Sequence, residues 1–183
     1  GGIVFSDVLA NTAYQWKPGM TKAEVYLRPS GLVNATPGIR EPGSNGLTTD
    51  RQGRLVLAQH GERRIARWEN GTFVTLADRF EGKRFNSPND LVVKKSGDIY
   101  FTDPPYGLTD IDKSKLRELD FAGVYRVATD GKVTLLTKSL PFPNGIAFSP
   151  DEKILYVATT EDNRASVLAY DVKADGTIAN ERV

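Results

Sequence analysis

Self-similarity at a fixed period decides what this chain can fold into, because repeated units bury their apolar faces only against one another. Three segments begin alike: "SNGLTTDRQGRLVLAQHG" from Ser44, "PNDLVVKKSGDIYFTDPPYG" from Pro88 and "PNGIAFSPDEKILYVATTED" from Pro143. Each runs through Asn, then Gly or Asp, an apolar strand-like piece, a polar turn and a second apolar piece. The shared anchors Asn45, Asn89 and Asn144 stand 44 and 55 residues apart. The longer interval holds a charged insertion, "LTDIDKSKLRELD" (108–120), and without most of it the period returns to the mid-forties.

Each segment continues into two more strand-like pieces around Asn70-Gly71, Asp130-Gly131 and Asp175-Gly176. Such dipeptides suit the positive-φ positions of tight hairpins. One repeat is therefore four antiparallel strands, A to D. About 40–45 residues and four strands per unit describe a β-propeller blade. The expected fold class is all-β, a β-propeller of four-stranded antiparallel blades. Residues 1–34 match strands B, C and D of a first blade that lacks strand A. Further blades over 44–80, 88–140 and 143–183 bring the total to about three and three-quarter blades, in one propeller domain or a fragment of one. Within the insertion "DKSKLREL" is helix-compatible, but its apolar positions are sparse, so a surface loop is expected.

Topology then places the chemistry. Strand A lies nearest the axis, and the D-to-A and B-to-C connections open on the same end. Asn45, Asn89 and Asn144 start A strands. His60, Asp103 and Glu161 start B-to-C loops, and "EGKRFNSPN" is a D-to-A connection. All should ring one mouth. An Asn at a strand start can be a turn residue and nothing more. At a mouth, its side-chain carbonyl can also serve a hard cation such as Ca²⁺, Mg²⁺ or Mn²⁺. Asp90 stands where the other repeats have Gly46 and Gly145, and its carboxylate could act as a general base. His60 is the sole histidine. Asp103 and Tyr106, in "FTDPPYG", are either a stiff turn or contacts over the mouth.

Composition removes other classes. The chain has no cysteine, which excludes disulfides, thiolate catalysis and Cys-ligated metals. With 24 basic and 23 acidic residues in short, mixed clusters, nothing draws it to nucleic acid or an anionic membrane. No run reaches the roughly 18–20 apolar residues of a membrane span. No P-loop, G-x-G-x-x-G or G-x-S-x-G occurs. No signal peptide is visible, so the compartment stays open between cytoplasm and, after signal removal, periplasm or exterior.

The three motifs "SNGLTTDRQGRLVLAQHGERRIARWENG", "RFNSPNDLVVKKSGDIYFTDPPYGL" and "LPFPNGIAFSPDEKILYVA" together resemble bacterial gluconolactonases of the SMP-30/gluconolactonase/luciferin-regenerating family. More distant ties run to diisopropylfluorophosphatase-type propellers. The resemblance spans essentially the whole chain. It implies a six-bladed propeller with an axial divalent cation, Ca²⁺ foremost and Mg²⁺, Mn²⁺ or Zn²⁺ as alternatives. It implies hydrolysis of a sugar lactone such as glucono-1,5-lactone to the aldonic acid. Asn89 and Asn144 match two amide ligands of that cation. Asp90 becomes a neighbouring catalytic carboxylate, and Arg84, Asn86, His60, Asp103 and Tyr106 become substrate contacts. The family's Glu and Asp ligands have no counterpart here, so the sequence reads as the middle of a longer enzyme. The alternatives are an esterase or organophosphatase on the same scaffold, or a non-catalytic propeller segment. Open blade edges would then favour self-association.

Overall fold

The computed structural model describes residues 1–160 and 165–183. Its first sheet has three strands, β1 (Ile3–Asp7), β2 (Thr12–Trp16) and β3 (Glu24–Leu27). The next has β4 (Ser44–Thr49), β5 (Leu55–Gln59), β6 (Arg64–Glu69) and β7 (Thr72–Ala77). A short ribbon follows, β8 (Arg79–Phe80) and β9 (Lys83–Arg84). The third sheet holds β10 (Leu91–Val93), β11 (Ile99–Asp103), β12 (Gly123–Val127) and β13 (Val133–Thr137). The fourth holds β14 (Pro143–Phe148), β15 (Ile154–Thr159), β16 (Ser166–Val172) and β17 (Ile178–Arg182). Every sheet is an antiparallel meander in chain order, and the sheets pack as blades of a β-propeller.

Burial follows position in the blade. All five residues of β11 are buried, because a strand near the axis has a neighbouring blade on each face. Its alternation divides them. Phe101 joins Val56, Ile65, Phe85 and Tyr125 between the second and third sheets. Tyr100 joins Val124, Leu155 and Val157 between the third and fourth. A one-residue slip would exchange the two sets, so both cores hold the register. The outer strand β7 has one buried residue, Ala77, with Phe73 and Leu76 half-buried against the cores. Between β6 and β7, Asn70 (φ 51°) and Gly71 (φ 79°) both take the left-handed backbone of a two-residue hairpin, as the dipeptide predicts.

Ser6 Oγ of β1 lies 3.0 Å from Ser44 Oγ of β4. Thr102 Oγ1 of β11 donates to Asn144 O of β14 at 2.6 Å. Thus β1 stands to β4 as β11 stands to β14, the place of a B strand beside the next blade's A strand. The charged insertion contains one 3₁₀ turn, Ile111–Lys113, and otherwise runs as a loop. It is more than surface, since Leu119 is buried in the core between the second and third sheets. No helix among the described residues is long and apolar enough to cross a membrane.

Candidate functional site

The first residues of β4 and β14, and the loop that enters β10, meet at one end of the blades. Gly46 N donates to Asn89 O at 2.7 Å, which laces the second blade to the third. Asp90 continues the lacing. Its Oδ1 accepts from Leu91 N at 2.9 Å, and its Oδ2 accepts from Ile146 N in β14 at 2.9 Å. This explains why Asp90 departs from the repeat. A Cβ on Gly46 would stand 2.6 Å from Asp90 Oδ1 and 2.8 Å from Asp90 Cα. One blade supplies the carboxylate and its neighbour supplies the space. Burial raises the Asp90 pKa, and the two backbone donors oppose that rise. The carboxylate expected as a base is therefore committed to a seam between blades.

Beside this seam the three anchor amides form a chain. Asn45 Nδ2 donates to Asn89 Oδ1 at 2.8 Å, and Asn89 Nδ2 donates to Asn144 Oδ1 at 2.8 Å. Asn89 is buried, while Asn45 and Asn144 are half-buried. His60, fully buried, stands behind them. Its Nε2 lies 3.3 Å from Asn89 Oδ1 and 3.4 Å from Asn45 Nδ2. Its Nδ1 lies 2.8 Å from Glu41 Oε2. Burial raises the Glu41 pKa, but the hydrogen bonds and charges of His60 and Arg40 outweigh it and leave a net lowering.

Two expected substrate contacts lie inside instead. Asn86 and Asp103 are both fully buried. Asp103 Oδ2 accepts from Asn86 N at 2.8 Å and from Asn86 Nδ2 at 3.2 Å. Asn86 Nδ2 also reaches Phe121 O, and Arg117 Nε donates to Asn86 Oδ1 at 3.2 Å. Arg117 of the insertion thus caps Asn86, and the Asn86–Asp103 pair braces the loop that carries Asn89. Burial pushes the Asp103 carboxyl up to about 7, against backbone donation from Asn86 and the nearby Arg63 charge. Asp103 Oδ1, Arg63 Nη2 and Tyr125 Oη are buried with no partner among the described residues. Arg84 is half-buried, donating through Nη2 to Glu62 O at 2.8 Å. Tyr106 is on the rim, its ring stacked on Phe142 at 5.9 Å and 10° and its hydroxyl bonded to Thr160 Oγ1. Glu161 falls outside the described residues.

The row of amides suits a hard cation. Each carbonyl oxygen has two lone pairs and spends one on its neighbour's N–H, so Asn89 and Asn144 each keep one. Both donors are neutral. Among the described residues no three His, Cys, Asp or Glu side chains group to hold a metal ion. These amides would supply two oxygens of a larger shell. A cleft of about 520 Å³, lined by Asp50, Arg51, Arg54, Arg67 and Gly131 among others, opens near the turns at the other end of the second and third blades. Arg54 and Arg67 there are paired with Asp50 and Glu69, and Arg51 donates to Lys95 O.

The SMP-30/Gluconolactonase/LRE-like region model matches residues 1–183. The chain belongs to this family. It is 40% identical over 178 residues to a gluconolactonase of Zymomonas mobilis, covering 95% of this chain and 50% of that protein. A solved gluconolactonase from Xanthomonas campestris superposes with a TM-score of 0.82 at 33% identity, over 99% of this chain and 57% of that one. A diisopropyl-fluorophosphatase of Loligo vulgaris is 27% identical over 117 residues, 62% of this chain and 37% of that protein. The chain spans about half the length of these gluconolactonases. Sequence reasoning missed Glu41 as a site residue. Its signal was position, four residues before Asn45 in a connection that opens at the mouth.

Proposed function

We propose that the protein acts in the hydrolysis of a sugar lactone of the glucono-1,5-lactone type to its aldonic acid, with a divalent cation, Ca²⁺ first among candidates, at the axial amides. The observation that carries this reading is the row Asn45–Asn89–Asn144, each amide at the entrance of an innermost strand and linked to the next at 2.8 Å. Kinship with gluconolactonases supplies the substrate class. When bound, such a cation polarises a carbonyl oxygen and lowers the pKa of a bound water. Asn89 and Asn144 would hold it. Tyr106 and Phe142, stacked at the rim, offer a flat wall beside a sugar ring. Asp90 and Asp103 act in this reading as braces that keep the amides in place.

Likeness to a diisopropyl-fluorophosphatase favours a second reading, hydrolysis of an organophosphate on the same row. Calorimetry with CaCl₂ should show binding that Asn89→Ala and Asn144→Ala each abolish or weaken by about 10-fold or more, since each removes one oxygen ligand. A pH-stat assay should then show chelator-sensitive acid release from glucono-1,5-lactone. Turnover of a fluorophosphate without lactone turnover would select the second reading. Neither activity, with Ca²⁺ bound, would leave a binding segment and sink both.

A further inference from the structure

The seams on the two sides of the third blade follow one plan and are filled differently. Val56 and Tyr100 stand 44 residues apart, as their anchors Asn45 and Asn89 do. Each pairs with an arginine on the next strand, Arg67 and Arg126, and each faces the following blade. Between the third and fourth blades the plan is filled. Tyr100 is fully buried, and its hydroxyl donates to Gly176 O, in the turn between β16 and β17, at 2.7 Å. Its ring meets Phe148 edge-on at 4.8 Å. Arg126 donates through Nε and Nη2 to Asp98 Oδ2 at 3.0 and 2.8 Å, and through Nη1 to Asp175 O at 2.6 Å. The turn is packed so closely that a Cβ on Gly176 would stand 2.5 Å from Arg126 Cζ.

Between the second and third blades the same positions carry other residues. Val56 stands for Tyr100, Arg54 for Asp98 and, 55 residues before it, Val93 for Phe148. Two valines thus replace two aromatic rings. With no aspartate beside it, Arg67 turns to its own strand, placing Nε and Nη2 on Glu69 Oε2 at 3.0 and 2.6 Å. Its Nη1 has no acceptor among the described residues. Gly131 is the counterpart of Gly176. Its carbonyl accepts no hydrogen bond among the described residues, and a Cβ there would meet nothing within 4 Å. What remains is the cleft of about 520 Å³, against one of about 250 Å³ at the same end of the next seam. Val56 and Ile99 are buried at its base, and Leu76 and Val93 line it half-buried. Arg51, Arg54 and Arg67 outnumber Asp50 in its lining.

We propose that this cleft binds a small hydroxylated aromatic acid, which puts back the phenol that the seam lacks. The ring packs on Leu76 and Val93, where aliphatic side chains take the place of Phe148. The hydroxyl donates to Gly131 O, as Tyr100 donates to Gly176 O. The carboxylate meets Arg67 Nη1, since a guanidinium edge suits a carboxylate and the lining has cations to spare. A ring with a polar end gains from an apolar wall and a waiting acceptor together. Concave sites of roughly 300–1,000 Å³ with a few placed polar groups commonly hold ligands of this kind. The site lies at the opposite end of the blades from the amide row and does not depend on a cation there.

The test titrates 4-hydroxybenzoate into the ¹⁵N-labelled chain and follows the backbone amides. Shifts should centre on the cleft, at Arg54, Val93, Gly97 and Gly131, with a dissociation constant of about 1 mM or tighter. Benzoate, with no hydroxyl for Gly131 O, and p-cresol, with no acid for Arg67, should each bind about 3-fold or more weaker. Arg67→Ala should erase the advantage of 4-hydroxybenzoate over p-cresol. Val56→Tyr supplies the ring and hydroxyl from within, as Tyr100 does in the next seam, and should weaken 4-hydroxybenzoate about 10-fold or more. If Val56→Tyr fails to fold, Val93→Phe, which copies Phe148, should show the same loss. No shifts up to about 10 mM, or shifts that lie away from the cleft, would overturn the site. Unchanged affinity in the folded Val56→Tyr protein would overturn it too. Equal binding of p-cresol and 4-hydroxybenzoate by the unsubstituted chain would overturn the acid as part of the ligand.

Discussion

Asp103 should make this propeller lose stability as pH rises through neutrality, the reverse of the usual carboxylate. Its side chain is fully buried, one oxygen holds the Asn86 amide groups, and the other has no partner among the described residues. Desolvation therefore outweighs the hydrogen bonds and the Arg63 charge, and the group titrates at about 7 in the folded chain against 3.8 for a free side chain. Between those values the folded state holds a proton that the unfolded state has released. Stability from this group is full below about pH 4 and is lost as pH rises through about 7. The displacement of about 3 pH units corresponds to at most about 4 kcal/mol. Roughly 2–3 kcal/mol of that falls between pH 5 and 8. Asp103→Asn keeps a carbonyl for the Asn86 N–H and cannot ionise. Urea midpoints for both proteins at pH 5, 6, 7 and 8 give the difference directly, with all other titrating groups cancelling. The unsubstituted protein should lead at pH 5 by more than at pH 8. A difference independent of pH would show that Asp103 stays ionised throughout, and that Arg63 compensates burial more than the structure indicates.

Two further substitutions test the packing account. Gly46→Ala should cost about 1–3 kcal/mol in urea unfolding, because its Cβ would lie 2.8 Å from Asp90 Cα, which cannot yield as a side-chain tip can. Gly145→Ala, whose Cβ would meet only ordinary contacts at 3.8 Å, should stay within about 1 kcal/mol; equal costs would refute the fit of Asp90 into the Gly46 space. Tyr125→Phe removes a buried hydroxyl that has no partner among the described residues while keeping the ring stacked on Phe101 at 5.3 Å, so the thermal midpoint should hold or rise. A fall of several degrees would mean that the hydroxyl is satisfied.

The repeat was legible because each blade restates it. Strand A starts with Asn, and the Gly turns recur in phase, so noise at one copy is corrected by the others. What one residue does to the neighbouring blade was not legible in the same way. The "ND" of Asn89-Asp90 differs from the "NG" of Asn45-Gly46 and Asn144-Gly145. Within its own strand that difference looks like added chemistry. Across the seam it is complementarity. The Gly46 gap admits Asp90, whose carboxylate then holds the Ile146 N–H. Asn86 and Asp103 show a second limit. Topology sends their loops to the mouth, yet both side chains are buried, with Arg117 of the insertion on the Asn86 amide oxygen and Phe121 O, just after it, on the Asn86 nitrogen. Nothing in 108–120 marks which loop it would cover, because its buried anchors, Leu108 and Leu119, are isolated apolar residues among charges. Glu41 lies in the D-to-A connection before Asn45, whose counterparts before Asn89 and Asn144 differ from it in length and sequence, so comparing the repeats does not raise it. Residues that repeat reveal the architecture, and residues that break the repeat mark where blades must recognise one another. A break in the repeat beside the axis is therefore first a seam, and becomes a candidate for chemistry only when its polar atoms are free of backbone, as those of Asp90 are not.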